Sequence, residues 1–134
     1  MTRETLVALA CEAMKHAYAP YSGYQVGAAL LTRGGTVYTG CNIENAAYGP
    51  TNCAERTAFF KAVSEGEREF SAIAVVGGLH GEITKIAAPC GVCRQVMREF
   101  CDDGFAIHLW DGTEYQTYTL AELLPLSFGT ENIR

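Results

Sequence analysis

Three cysteines and one glutamate stand at spacings that suit a metal ion and a proton carrier: Cys53-Ala54-Glu55, and later Pro89-Cys90-Gly91-Val92-Cys93. A Cys-x-x-Cys pair that opens a helix has both sulfurs in the helix's first turn, where they can hold one zinc, and Cys53 at the mouth of another helix can supply a third sulfur. Three protein ligands, rather than four, leave zinc a position for water, which separates a catalytic site from a structural one. Three thiolates leave such a centre at a formal charge of about −1, and bound hydroxide takes it to about −2, so positive potential must be supplied nearby. Two helix N-termini offer roughly half a charge each. Arg56, directly after the glutamate, can donate hydrogen bonds to the thiolates. Glu55 is then a proton shuttle and not a ligand, and a dry pocket beside an anionic centre should raise its pKa.

Other chemistries share parts of this pattern. A Cys-x-x-Cys alone also suits a thiol–disulfide redox pair. A zinc that only holds the fold needs a fourth ligand, and neither Cys101 nor His16, His80 or His108 stands at a matching spacing. Cys11, Cys41 and Cys101 read as small packing residues. The chain of 134 residues suits one domain, 1–134, around one core. Its net charge of −5, with no two Lys or Arg adjacent, argues against nucleic acid as a partner and leaves a small neutral molecule open. There is no uninterrupted apolar run of the roughly 18 residues a membrane helix needs. The opening Met1-Thr2-Arg3-Glu4 does not read as a secretory signal, so a cytoplasmic chain with cysteines kept as thiols or ligands is expected.

The elements that must carry these residues follow from periodicity and punctuation. A first helix capped by Thr2 is expected to run until just before Ala19-Pro20, with Leu6, Leu9, Ala10, Ala13, Met14 and Ala17 at helical intervals. Val26 to Leu31 reads as a buried strand, paired through the Arg33-Gly34-Gly35 turn with Val37 to Cys41. A loop over 42–52 leads to a helix that opens at about Asn52 or Cys53 and runs to Glu65, stopped by Gly66. Ile73 to Val76 is a short strand, and Gly77, Gly78 and Gly81 belong to a loop after it. A helix from Gly91 to about Cys101, strands over 105–110 and 115–118, and a short helix over 120–124 complete the chain. The expected fold class is α/β, a three-layer α-β-α sandwich around a five-stranded mixed sheet.

Cys53, Glu55, Cys90 and Cys93 together match the signature of zinc-dependent base deaminases in its three-cysteine form. Longer stretches narrow the likeness: Tyr18-Ala19-Pro20-Tyr21-Ser22, Val26-Gly27-Ala28-Ala29-Leu30, Gly40-Cys41-Asn42-Ile43-Glu44-Asn45-Ala46, Cys53-Ala54-Glu55-Arg56-Thr57-Ala58, Pro89-Cys90-Gly91-Val92-Cys93-Arg94-Gln95 and Glu122-Leu123-Leu124-Pro125. With them the chain resembles the small homotetrameric cytidine deaminases over nearly its whole length. That resemblance implies one zinc per subunit on Cys53, Cys90 and Cys93. It implies hydrolytic deamination of cytidine and 2′-deoxycytidine in pyrimidine salvage, with hydroxide attacking C4 while Glu55 moves protons to N3 and the departing amine. Asn42 and Glu44 are implied as ligands of the ribose 3′-hydroxyl, with Ile43 turned back into the core. Tyr24, where phenylalanine is usual, would hold the base, and the backbones of Ala54 and Ala88 would read its edge. Ala46, Tyr48 and Phe128 would complete a neighbouring subunit's site in a homotetramer, and the small residues Gly27 to Ala29 and Ala46-Ala47 are expected to permit close packing between subunits. Rival readings are a deaminase of the same fold acting on a blasticidin-type nucleoside, a deaminase of RNA or DNA bases, and a non-catalytic zinc protein.

Overall fold

A computed structural model describes all 134 residues. Helix α1, Arg3–Met14, is capped by Thr2, whose side chain accepts from the Thr5 amide at 3.1 Å, and it buries Leu6, Val7, Ala10, Ala13 and Met14. It ends earlier than the proline suggested. Tyr18 leaves the helical path because its amide donates to the Asn42 carbonyl at 2.9 Å, while the Glu44 amide donates to the Tyr18 carbonyl at 2.8 Å. Strands β1, Tyr24–Thr32, and β2, Val37–Cys41, form the expected antiparallel hairpin. Helix α2 is Ala54–Ser64, with Cys53 as N-cap.

Strand β3, Phe70–Leu79, is much longer than the expected Ile73–Val76, and Gly77 and Gly78 lie inside it rather than in a loop. A side chain on Gly78 would strike the Glu82 carbonyl, where the chain folds back across the strand end, so glycine here serves close approach and not flexibility. Helix α3, Gly91–Phe100, crosses to β4, Ala106–Trp110, which lies parallel to β3. Strand β5, Tyr115–Thr119, pairs antiparallel to β4. It leads into helix α4, Leu120–Leu123, through a capping box of Thr119 and Glu122. A terminal 3-10 turn, Thr130–Ile133, was not anticipated.

The five-stranded mixed sheet has the order β2-β1-β3-β4-β5. Strand alternation splits β3 between two cores. Ala72, Ala74 and Val76 meet Leu6, Val7, Ala10 and Met14 of α1 on one face. Ile73 and Val75 meet Phe59 of α2 and Met97 of α3 on the other. A strand covered on both faces reads as an unbroken apolar run, so three layers are the outcome the sequence pattern implied.

Two glycines set layer spacing. A side chain on Gly27 would collide with the Ala10 carbonyl of α1, and one on Gly40 would lie 2.5 Å from the Ala54 carbonyl of α2. Gly27 to Ala29 therefore serve packing inside the chain, with Ala28 and Ala29 fully buried, and do not provide the subunit contact expected of them.

Candidate active site

The sequence brings two helix starts to the same place. Cys53 is the N-cap of α2 and Cys90 the N-cap of α3, with Cys93 in the first turn of α3. Neither cap makes a side-chain hydrogen bond to its helix, so the free amides of both first turns add their partial positive charge at the sulfurs. The three Sγ atoms lie within 4.8 Å of one another, and no further Cys, His, Asp or Glu joins the group. Cys53 and Cys90 are 3.7 Å apart at sulfur. Zinc–sulfur bonds of about 2.3 Å in a tetrahedron give an edge of about 3.8 Å, so the cage fits zinc with one corner left over.

Before zinc binds, Cys53 and Cys93 share one proton, which the metal would displace. Hydrogen bonds from Cys93, then from Arg56 and Cys90, outweigh burial and push the Cys53 thiol down to about 5. Cys93, which donates to that thiolate and is itself buried, is held far above the usual thiol range. Arg56 donates from Nη2 to Cys53 Sγ at 3.2 Å, as expected from its place in the sequence. Its Nε is also buried and has no acceptor within the chain.

Glu55 follows in the first turn of α2, is 4 % exposed, and faces the cavity beside the cage. Burial first, and the Cys53 thiolate second, push its carboxyl up to about 7, in line with the rise anticipated for it. The cavity holds about 350 Å³. Tyr24 and Val26 of β1, Asn42, Glu44, Ala88 and Cys90 are among its walls. Ser22, Thr51, Asn52 and Ile86, to which the sequence reading assigned no role, line it as well. The Ala54 side chain does not line it, since its methyl is in the core, but its backbone links Cys53 and Glu55, both of which do.

Asn42 and Glu44 reach the cavity together, but both are also anchored to the fold. Asn42 Oδ1 accepts from the Val26 amide at 2.9 Å and Nδ2 donates to the Tyr24 carbonyl at 2.8 Å, so the side chain extends the edge of β1. Glu44 accepts from the Tyr21 and Ser22 amides at 2.9 and 3.1 Å and from the Ser22 hydroxyl, which holds its carboxyl below the usual range. Ile43 corrects the expectation made for it: it is 46 % exposed. With its two polar neighbours turned inward, strand alternation sends Ile43 out. Ala46, Tyr48 and Phe128 are exposed and line no part of this cavity. Tyr48 lies instead on an adjoining hollow of about 380 Å³ that shares Ser22, Glu44 and Thr51 with the first. Phe128 lies on the C-terminal tail, its carbonyl held by Gln95 Nε2 at 2.9 Å.

The fold and this cage define a zinc-binding deaminase. Residues 1–109 match the family described as cytidine and deoxycytidylate deaminase zinc-binding region. A cytidine deaminase of Sporosarcina psychrophila is 50 % identical over 134 residues, spanning 99 % of this chain and 96 % of that one. The crystal structure of cytidine deaminase from Burkholderia pseudomallei superposes with a TM-score of 0.88 at 47 % identity, covering 96 % of this chain and all of the other (100 %). A blasticidin-S deaminase of Bacillus cereus is more distant, at 31 % identity over 78 % of this chain and 77 % of that protein. The chain belongs to the cytidine and deoxycytidylate deaminase family.

Proposed function

We propose that this chain hydrolyses the exocyclic amine of cytidine and 2′-deoxycytidine, giving uridine or 2′-deoxyuridine and ammonia. The observation that carries the reading is the three-sulfur cage with an open corner and a buried carboxyl, Glu55, on the same cavity. Cys53, Cys90 and Cys93 would hold the zinc, which when bound would supply an activated water at neutral pH. Glu55 would take one proton from the attacking water and deliver it to N3 of the base. It would then take a second from the new hydroxyl at C4, which becomes the carbonyl, and pass it to the leaving amine. A carboxyl held near neutrality suits both directions of transfer. Arg56 and the two helix starts offset the negative charge of the sulfurs.

Asn42 and Glu44 take the sugar end, Tyr24 packs on the base, and the backbones at Ala54 and Ala88 meet its polar edge. A carboxylate at the sugar end repels a phosphate there, which favours nucleoside over nucleotide. The acidic chain, net −5, supports a small-molecule partner and not nucleic acid. No helix is long and apolar enough to cross a membrane. The six unpaired cysteines suit a reducing cytoplasm. Residues 1–134 act as one catalytic domain, assembled as a homotetramer in which Ala46, Tyr48 and Phe128 complete a neighbour's site.

The test is loss of the cytosine absorbance band on adding purified protein to cytidine, deoxycytidine, cytidine monophosphate and blasticidin S, with zinc measured on the same sample. Turnover of the two nucleosides with about one zinc per chain is the expected result. Turnover of blasticidin S alone would replace the reading with its nearest rival, and a zinc-loaded protein inert on every arm would make the metal structural.

A further inference from the structure

Arg94 follows Cys93 directly, on the first full turn of α3, and is half-buried. Its Nε donates to the Pro89 carbonyl at 2.7 Å and its Nη1 to the Leu123 carbonyl at 2.6 Å. Pro89 is fully buried and stands one residue before the N-cap, so its carbonyl lies outside the α3 ladder, in which Arg94 N bonds to Cys90 O at 3.0 Å. A buried carbonyl without a donor is costly, and the Arg94 side chain supplies that donor. Leu123 is the last residue of α4, so one planar guanidinium ties the approach to Cys90 to a helix about thirty residues further on. Of the three cage cysteines, Cys93 is buried, Cys53 half-buried and Cys90 exposed, so the aim of Cys90 depends most on its own backbone. Ile86, Ala87, Ala88 and Cys90 of the same segment form one wall of the cavity.

We propose that Arg94 is a positioning residue for the metal site: by holding the Pro89 carbonyl against the end of α4, it fixes where Cys90 Sγ and the Ala88 wall stand. The fork is what matters, and not the charge alone. A lysine ammonium is a point charge on a flexible stem and cannot hold two carbonyls in one plane. This inference rests on the proposal that the cage holds zinc.

The test follows zinc release from the purified, zinc-loaded protein into excess chelator with a colorimetric zinc indicator, beside thermal unfolding and separate kcat and KM values. Arg94→Ala and Arg94→Lys are compared with wild type. Arg98→Ala serves as the matched control for release. Arg98 lies one turn further along α3 and binds Ser127 Oγ at 2.9 Å and Glu131, with no hydrogen bond to the 86–90 segment. Both Arg94 variants should release zinc about 10- to 100-fold faster, with kcat falling more than KM rises. Arg98→Ala should release at the wild-type rate. If Arg94→Ala does not accumulate as folded protein, Arg94→Lys decides. Wild-type release by the Arg94 variants overturns the proposal, as does equal acceleration in Arg98→Ala, which would mark a general loosening of α3. Wild-type protein that carries no zinc overturns the underlying reading and this inference with it, and is seen before any variant is made.

Discussion

Glu55 and Arg56 are adjacent in sequence, yet their environments assign them opposite work. Glu55 is a buried carboxyl that makes no ion pair, and Arg56 is spent on a sulfur. Glu55→Gln keeps the shape and removes the proposed proton carrier. Turnover should fall by roughly 10²- to 10⁴-fold while zinc content is unchanged, read by absorbance assay and elemental analysis together. Arg56→Ala removes the donor to Cys53 Sγ and should weaken zinc retention by about 10- to 100-fold under chelator challenge. Unchanged retention and unchanged turnover would remove Arg56 from the mechanism. Glu55 also makes the metal-free fold sensitive to pH. Its carboxyl sits at about 7 in the fold against 4.5 unperturbed, so the folded state binds its proton more tightly. Its cost to stability is absent below 4.5, grows between 4.5 and 7, and is complete above 7. That gap is worth about 3 kcal/mol. Chelator-stripped Glu55→Gln should therefore exceed stripped wild type in stability at pH 8 by up to about 3 kcal/mol, and hardly at all at pH 4.5. Urea unfolding at the two pH values decides, and an equal difference at both would count against it.

At the scale of elements, the site depends on how closely α2 sits on the sheet. The first turn of α2 carries Cys53, Glu55 and Arg56 and rests on Gly40 of β2, where an added methyl would lie 2.5 and 2.6 Å from Ala54 O and Ala58 N. Gly40→Ala should displace that turn, lowering activity at least about tenfold as well as stability by about 1–3 kcal/mol. Gly27→Ala forces α1 away on the opposite face, remote from the cage. It should lose comparable stability with much less effect on the specific activity of the folded fraction. Gly35→Ala, at φ +97° with nothing within 4 Å, carries only backbone strain of about 1 kcal/mol. Thermal unfolding with specific activity separates the three, and an inert Gly40→Ala would show that α2 tolerates the shift.

The whole molecule leaves apolar surface uncovered near the cavity. Tyr21, Ile43 and Tyr48 are each half or more exposed, or nearly so, and Tyr48 and Tyr21 border the hollow that adjoins the site. An exposed apolar cluster of this kind suits an interface, and copies packed around it would bury these side chains. Sedimentation should give a mass of about 58 kDa, four chains of 14.5 kDa. Ile43→Asp should lower that mass and raise KM together, because the surface and the substrate site share one loop. A monomeric wild type with full activity would dispose of the tetramer.

The chemistry was legible in the chain because metal ligation and proton transfer demand particular residue types at short, fixed spacings, as in Cys53-Ala54-Glu55 and Cys90-Gly91-Val92-Cys93. The helix starts and the hairpin were legible too, since caps, turns and periodicity act over a few residues. Other features became visible only once the layers were stacked. Ile43 faces outward because Asn42 and Glu44 bond to β1 and to the Tyr21–Ser22 turn. The glycines at 77 and 78 stay in a strand because the chain passes over Gly78. Gly27 answers to α1, and Arg94 to the far end of α4. Backbone preference and side-chain type are local properties, but the distance between two surfaces and the partner of a buried carbonyl depend on segments that meet only in three dimensions.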